Sequence, residues 1–138
     1  MSTFNEDYKR GRKIEETILN AIKNKYPEAY IQEGYFTDWD IFIPELKFGI
    51  EVKYDIESVQ TGNYLIETKD SGKPSGLTTS KAKYWVIYDG DSYLWLLTKN
   101  IKKCIADNNL KKITYSPKED KKIKEGYLIK KEILKNYG

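Results

Sequence analysis

The sequence predicts an α/β sandwich built around a mixed β-sheet flanked by helices. Three observations indicate this class: a first segment with the period of an amphipathic helix, a series of short strand-like runs, and helical segments among and after those runs. A chain of 138 residues is long enough to bury a continuous core without disulfides or zinc. We therefore expect a single domain over 1–138, with a core of about 8–98 and a lysine-rich C-terminal extension of about 99–138.

The first half of the chain is predicted to form one helix followed by strands. Residues 8–25 place Ile14, Ile18 and Ile22 on one apolar stripe, and Tyr26-Pro27 ends the helix. Four short runs then combine aromatic or β-branched residues with flanking turn-formers. We predict strands over 29–32, 39–43, 48–54 and 64–68.

The second half is predicted to mix strands with helices. A short helix is expected from Leu77 to Lys83, with a hydroxyl residue near its start. A turn at Asp89-Gly90-Asp91 joins two strands as a hairpin, and Thr98 is expected to cap the helix that follows. The remaining elements are strands over 84–88, 93–97 and 127–129 and a last short helix at 131–135.

Composition excludes several kinds of catalytic site. The chain has no histidine, which removes Ser-His-Asp and Cys-His catalysis, H-N-H nucleases and histidine-ligated zinc. The single cysteine, Cys104, cannot form an internal disulfide and is expected to fill the core. No apolar run approaches the roughly 20 residues that span a bilayer, and the N-terminus has no apolar signal region. We expect a cytoplasmic protein with no membrane partner and no organic cofactor, in which carboxylates, lysine or tyrosine would carry any catalysis.

Positive charge is concentrated in the last third of the chain. The net charge is +3, and the C-terminal lysines could bind a polyanion such as DNA. Lysines that only keep a surface soluble are the alternative. The residues concerned are Lys102, Lys103, Lys111, Lys112, Lys118, Lys121, Lys122, Lys124, Lys130, Lys131 and Lys135.

Three charged residues lie in otherwise apolar, strand-like runs. Asp40 interrupts the run Trp39 to Ile43, and Glu51 and Lys53 interrupt the run Gly49 to Tyr54. Because side chains alternate along a strand, Glu51 and Lys53 share a face, and Asp40 on the preceding strand is expected to converge with Glu51. Two carboxylates with a nearby lysine suit a magnesium ion held against a phosphodiester.

The Glu-x-Lys pattern is weak by itself. It also occurs at Glu45-Lys47, Glu67-Lys69 and Glu119-Lys121, but only Glu51-Lys53 lies in a strand that follows a strand with an embedded aspartate. The alternative is that Glu51 and Lys53 form the solvated face of an edge strand. Glu15 favours the functional interpretation because it borders the apolar stripe of the first helix, although ordinary amphipathic helices also carry such glutamates.

Three short motifs follow one another along the chain: Gly11-Arg12-Lys13-Ile14-Glu15, Trp39-Asp40-Ile41 and Ile50-Glu51-Val52-Lys53. In this order they resemble the PD-(D/E)XK nuclease superfamily, and are most similar to Holliday junction resolvases and related phage-type endonucleases. The resemblance covers roughly residues 8–90 and has Trp39 where the superfamily has proline. It implies a restriction-endonuclease-like core with the order α-β-β-β-α-β.

The resemblance also implies roles for individual residues. Asp40, Glu51 and the backbone carbonyl of Val52 would bind magnesium, which manganese can replace. Glu15 would assist the metal or its water, and Lys53 would act in catalysis. The resemblance further suggests a homodimer that acts on DNA, and it leaves open phage recombination, host-DNA degradation and repair.

The segment after these strands offers candidate nucleic-acid contacts. Lys73, Ser75, Thr79 and Lys81 supply hydroxyls and positive charge around the start of the helix predicted from Leu77. Backbone amides and hydroxyls at a helix start can hold phosphate. The alternative is ordinary loop and cap chemistry.

These observations favour a magnesium-dependent endonuclease that hydrolyses DNA phosphodiester bonds, with selectivity for branched or junction DNA as one version. Two other hypotheses stay open: a catalytically silent nucleic-acid-binding or scaffold domain with the same fold, and an α/β interaction domain that binds no nucleic acid. The presence of Glu15, Asp40, Glu51 and Lys53 together argues against the silent domain. The choice between DNA and RNA is left open.

Overall fold

The computed structural model describes residues 4–34, 38–116 and 122–138, and only the backbone of residues 4–8. Lys118, Lys121 and the Glu119-Lys121 motif lie outside the described residues. The helices are α1 (Phe4–Lys23), α2 (Ser58–Thr61), α3 (Thr98–Asp107) and α4 (Lys131–Leu134). The strands are β1 (Tyr30–Ile31), β2 (Ile41–Ile43), β3 (Phe48–Tyr54), β4 (Asn63–Asp70), β5 (Lys73–Pro74), β6 (Tyr84–Tyr88), β7 (Tyr93–Leu97), β8 (Ile113–Tyr115) and β9 (Lys124–Lys130).

The first sheet has the strand order β1-β2-β3-β6-β7. Strands β1, β2 and β3 are antiparallel neighbours, β6 runs parallel to β3, and β7 returns antiparallel to β6. The predicted mixed central sheet is therefore confirmed. Strands β3, β6 and β7 have the predicted bounds, whereas β1 and β2 are shorter than predicted.

Helix α1 covers one face of the first sheet. Its isoleucines recur every four residues, so they form a single stripe along the helix. This stripe packs against alternate residues of β2, β3 and β6, which point to the same face of the sheet. The buried residues of this layer include Ile14, Ile18 and Ile22 of α1 and Ile41, Ile43, Ile50 and Val86 of the sheet.

A second, antiparallel sheet covers the other face, with the strand order β5-β4-β9-β8. The C-terminal segment supplies β9, which pairs with β4 along most of its length. The layer between the two sheets and α3 buries Tyr64, Ile66, Trp85, Ile87, Leu96, Ile101, Cys104 and Ile129. Cys104 fills the core, as predicted, and is fully buried.

The helix predicted from Leu77 to Lys83 is wrong. Only Gly76–Thr78 forms a 3₁₀ turn, and the hydroxyls that follow bond locally instead of supporting a helix. Thr78 donates its hydroxyl to the Thr68 carbonyl (2.8 Å), and Ser80 Oγ accepts the indole N–H of Trp85 (3.2 Å). The connection between the parallel strands β3 and β6 therefore contains α2, β4, β5 and this turn in place of one crossover helix.

Two further observations concern the helices. Helix α3 follows β7 as predicted, but the predicted cap is wrong: Thr98 is the first residue of the helix, and its hydroxyl donates to the Ala82 carbonyl (2.6 Å). The hydroxyl instead ties the start of α3 to the chain before β6. Among the described helices, none has the length and apolar character required to cross a membrane.

Candidate active site

The candidate site lies where β3 extends beyond β2. Strand β2 begins at Ile41, opposite Ile50, whereas β3 continues to Tyr54. Asp40, immediately before β2, continues the ladder by donating its N–H to the Ile50 carbonyl (2.9 Å). Its carboxylate Oδ2 then accepts the N–H of Val52 (2.7 Å). The carboxylate of Asp40 therefore takes the place of the next strand residue and is fixed against the edge of β3.

The main chain of Val52 adds an oxygen to the same edge. In an extended strand the N–H and the C=O of one residue point to the same side. Because the N–H of Val52 bonds to Asp40, the Val52 carbonyl also faces that side. The edge thus presents a carboxylate and a main-chain oxygen, both of which suit a hard cation.

Glu51 and Lys53 project from one face of β3 beside Asp40. Lys53 Nζ lies 3.3 Å from Glu51 Oε2. The negative charge of Asp40 acts on the carboxyl of Glu51. Lys53 packs its ammonium 5.5 Å from the ring centroid of Trp85, yet its side chain stays 42% exposed. Lys53 can therefore contact both Glu51 and a molecule in front of the sheet.

Helix α1 places a third carboxylate, that of Glu15, in the lining of the same cleft. Ile14 and Ile18 are buried against the sheet, so Glu15 lies at the border of the buried stripe, where α1 faces the edge of β3. Its charge interacts with that of Asp40. The structure thus brings together the four residues Glu15, Asp40, Glu51 and Lys53, together with the main chain of Val52.

Burial and like charge perturb the ionisation of these groups. Burial raises the pKa of Glu51 to about 8, although Lys53 opposes the shift, and Asp40 adds to it. Burial also raises the pKa of Glu15 to about 7, with the charge of Asp40 as the next cause. Burial alone would lower the pKa of Lys53, but the charges of Glu51 and Asp40 outweigh it and raise this pKa overall. Carboxylates that resist ionising together are stabilised by a bound cation.

These residues line one cleft of about 360 Å³. Arg12 of α1 lines the cleft and donates from Nη2 to Oε1 of Glu33, which lies between β1 and β2 (2.6 Å). This ion pair ties α1 to the segment that leads to Asp40. The other described lining residues are Gly11, Ile14, Gln32, Gly34, Trp39 and Tyr54.

Trp39, next to Asp40, is positioned by a glycine. The Trp39 ring lies so close over Gly49 that a side chain at residue 49 would overlap the ring. Trp39 also packs against Phe42, with 4.9 Å between the ring centroids. Gly49 therefore allows the chain that carries Asp40 to approach β3, and packing of the indole holds it there.

Neither Arg12 nor Glu33 was predicted as a site residue. Arg12 precedes Glu15 by three residues and therefore lies on the same side of α1, which is the signal that could have found it. Glu33 has no comparable pattern. Its pairing with Arg12 depends on the path of the chain between β1 and β2, which no local feature of the sequence specifies.

The four residues predicted to contact nucleic acid lie outside the described cleft lining. Ser75 donates its hydroxyl to Glu67 Oε2 (2.7 Å), and the Thr79 hydroxyl donates to the Gly76 carbonyl (3.4 Å). Lys73 and Lys81 are exposed. Because the expected helix is replaced by a 3₁₀ turn, the helix start that supported this prediction is absent. Contact between these four residues and nucleic acid stays a prediction.

The available ligands fit magnesium. In the described parts of the chain, no three Asp, Glu, His or Cys side chains gather into a group that could hold a metal ion. The candidate ligands are instead the carboxylates of Asp40 and Glu51 and the carbonyl of Val52. Magnesium commonly binds through one or two carboxylates and keeps several water molecules, so this set suits it.

The resemblance to PD-(D/E)XK nucleases depends on residues that meet in this cleft. They are a glycine and a glutamate on α1, an aspartate immediately before β2, and a Glu-x-Lys pair on β3. No family model matches the chain, and no curated protein or solved structure matches it either.

Proposed function

We propose that this protein is a metal-dependent endonuclease that hydrolyses DNA phosphodiester bonds in the cleft, on a restriction-endonuclease-like core. The observation that carries the proposal is the convergence of Asp40, Glu51 and Lys53 at the open edge of β3. Like charges in a partly buried site cost stability, so the presence of Asp40 and Glu51 at one place is better explained by function than by folding.

Asp40, Glu51 and the Val52 carbonyl would hold a magnesium ion. When bound, the ion supplies positive charge to a phosphoryl oxygen and makes water more acidic. Burial and the charge of Asp40 raise the pKa of Glu51 to about 8, although Lys53 opposes the shift. A proton therefore competes with the cation for Glu51.

Lys53 supplies a fixed positive charge. Its raised pKa keeps the ammonium protonated at neutral pH, and its ion pair with Glu51 holds it at the cleft. A phosphodiester in the cleft could accept a hydrogen bond from this ammonium. Negative charge that develops on the phosphoryl oxygens would then be stabilised in a partly desolvated site.

Glu15 has the properties of a proton-transfer group. A general acid or base works best when its pKa lies near the working pH, and the pKa of Glu15 is raised to about 7. It lies on the α1 side of the cleft, whereas Lys53 lies on the β3 side. Glu15 can therefore accept a proton from an attacking water on the side away from Lys53.

The test incubates the purified protein with supercoiled, linear, single-stranded and four-way-junction DNA, in magnesium or in chelator. Wild type is expected to cut at least one substrate with magnesium and none with chelator, and Lys53→Ala is expected to lose this activity. Lys69→Ala is a matched control, because Lys69 belongs to another Glu-x-Lys pattern and its side chain is also 42% exposed. It should cleave like wild type.

The other outcomes distinguish the alternatives. A wild type that leaves every substrate intact in both magnesium and manganese would contradict the nuclease proposal. Salt-sensitive DNA binding without cleavage would then identify a catalytically silent nucleic-acid-binding domain. The homodimer suggested by the resemblance stays a prediction, which a measurement of the mass in solution would test.

A further inference from the structure

A second pocket adjoins the cleft at the end of β3. It has a volume of about 300 Å³ and shares Ile14 and Tyr54 with the cleft. Tyr54 directly follows Lys53 on β3. We call this pocket the tyrosine pocket, because Tyr54, Tyr88 and Tyr93 all line it. A polymer held in the cleft could extend directly into the tyrosine pocket.

The three tyrosines form a row across neighbouring strands. Tyr88 lies opposite Tyr54 of β3 and Tyr93 of β7 in the strand register. The rings of Tyr88 and Tyr93 are stacked, with 4.4 Å between centroids and 21° between planes. The Tyr88 hydroxyl donates to the Gly90 carbonyl (2.9 Å), which fixes the middle ring. Tyr93 is 40% exposed and leaves aromatic surface open to a ligand.

Helix α1 contributes positive charge to the same pocket. Arg10, Lys13 and Thr17 follow the spacing of one helix face and all line the pocket. The Arg10 guanidinium carbon lies 6.0 Å from the centroid of the Tyr54 ring. Lys13 is exposed and makes no ion pair within the described part of the chain. The charged residues in the described lining are both basic, whereas those of the cleft are mostly acidic.

We propose that the tyrosine pocket binds an unpaired nucleotide next to the phosphate held in the cleft. The base would pack on Tyr93, and Arg10 and Lys13 would lie near its phosphate. This inference rests on the proposed nuclease function for the identity of its ligand. Aromatic rings beside basic residues are the combination that holds single-stranded nucleic acid, because every base has a face that can stack.

The proposal specifies the substrate class. In an intact duplex both faces of a base are covered by its neighbours, so the base is not free to stack on the protein. The protein is therefore expected to prefer single-stranded DNA, or DNA with locally unpaired bases, to a continuous duplex. Stacking tolerates any base, so little sequence preference is expected.

The test measures binding in chelator, where no cleavage occurs. The probes are fluorescent oligothymidylate, an abasic oligonucleotide of the same length and charge, and a blunt duplex. Wild type should bind oligothymidylate more tightly than the other two. Tyr93→Ala should weaken binding of oligothymidylate by roughly 5- to 100-fold but leave abasic binding unchanged, and Tyr93→Phe should retain binding. Tyr30→Ala is the control, because Tyr30 is 45% exposed on the opposite edge strand.

Equal wild-type affinity for oligothymidylate and the abasic probe would overturn the proposal, even if Tyr93→Ala failed to fold. Equal losses for both probes in a folded Tyr93→Ala would also overturn it. The two proposals fail in different ways. Base-dependent binding through Tyr93 without cleavage in any metal would reject the nuclease and keep the pocket, whereas cleavage without base-dependent binding would reject only the pocket.

Discussion

Two acidic regions of the molecule are built in opposite ways. The turn between β6 and β7 surrounds one aspartate with donors, whereas the cleft sets carboxylate against carboxylate. Asp89 is only 5% exposed and accepts the N–H groups of Asp91 (2.9 Å) and Ser92 (2.8 Å). It also accepts a hydrogen bond from Lys131 Nζ at the start of α4 (2.8 Å). Asp89 is therefore satisfied within the fold.

The carboxylates of the cleft have fewer hydrogen-bond donors around them than Asp89 has. Asp40 accepts the N–H of Val52, but Glu51 faces the like charge of Asp40 and has Lys53 as its cationic partner. Burial would raise the pKa of Asp89, yet its donors lower that pKa below the usual value. Burial raises the pKa of Glu51 to about 8 in spite of Lys53. The direction of the shift thus distinguishes a carboxylate whose charge is satisfied by donors in the fold from one held against a like charge.

The largest expected effect comes from Asp40→Asn. The amide oxygen can still accept the Val52 N–H, and one of the repelling charges is removed, so the melting temperature should not fall. Cleavage in magnesium should slow by at least about 10²-fold, because a carboxylate that would hold the cation is replaced by a neutral amide. Rates and thermal unfolding measured on the same preparation check both expectations.

Asp38→Asn is the matched control for this variant. Asp38 lies two residues earlier and is not among the described residues that line the cleft. It should keep the wild-type rate. If Asp40→Asn instead cleaved normally, or if it unfolded at a clearly lower temperature, Asp40 would belong with Asp89 as a structural residue.

The second largest effect is on stability. Asp89→Ala leaves Lys131, whose side chain is 18% exposed, without its partner, and removes the acceptor of two turn N–H groups. We expect the free energy of unfolding to fall by roughly 3 kcal/mol, as for other broken buried pairs. Urea denaturation measures this loss. Lys131→Met combined with Asp89→Ala should cost less than the two single changes together, and strict additivity would contradict the pairing.

The same comparison shows what the sequence could predict. Strands β3, β6 and β7 were predicted to the residue, because their apolar runs are bounded by clear turn-formers. Asp40 and Glu51 were expected to converge because a short turn joins β2 to β3. The pairing of Asp89 with Lys131 joins residues 42 positions apart, and no local pattern indicates it.

Other features depended on contacts that are distant in sequence. Strand β4 pairs with β9 across most of the second half of the chain, so the second sheet was not predicted. The segment from Leu77 to Lys83 combines apolar residues with hydroxyl residues near its start, a pattern that is also typical of a capped helix. In the fold, Gly76 adopts a positive φ of 51° against the backbone of Glu67, and only a 3₁₀ turn follows. Close packing of Gly76 against β4 thus determines the local structure of this segment, which helix propensity alone could not predict.

A smaller effect is expected from pH in the metal-free protein. Glu51 and Glu15 have folded-state pKa values raised to about 8 and about 7, so between about pH 5 and pH 8 the folded state binds more protons than the unfolded state. Stability must therefore fall as pH rises through this window. The lowered pKa of Asp89 has the opposite effect on stability, because its contribution is lost only when the pH falls into the acid range.

The measurement is the melting temperature in chelator from pH 5 to pH 9. Wild type should lose roughly 4 °C or more, since about 1 kcal/mol corresponds to a shift of this size in a domain of this length. Glu51→Gln should flatten the curve, whereas Glu16→Gln, on the exposed side of α1, should not. A wild-type curve that rises across this range would contradict the assigned directions of the shifts.

The smallest expected effect, from Lys103→Ala, tests whether burial or the distance between the charges sets the contribution of an ion pair to stability. Lys103 and Asp107 of α3 lie 2.9 Å apart, almost the same separation as Lys131 and Asp89, but their side chains are 63% and 42% exposed. Water screens such a pair and competes for both groups, so Lys103→Ala should leave the melting temperature within about 1 °C of wild type. A loss comparable to that of Asp89→Ala would show that ion-pair distance sets stability in this protein. A larger loss from Asp89→Ala than from Lys103→Ala would instead attribute the stabilisation by Asp89 to burial combined with hydrogen bonds to its carboxylate oxygens. Glu51 lacks this combination.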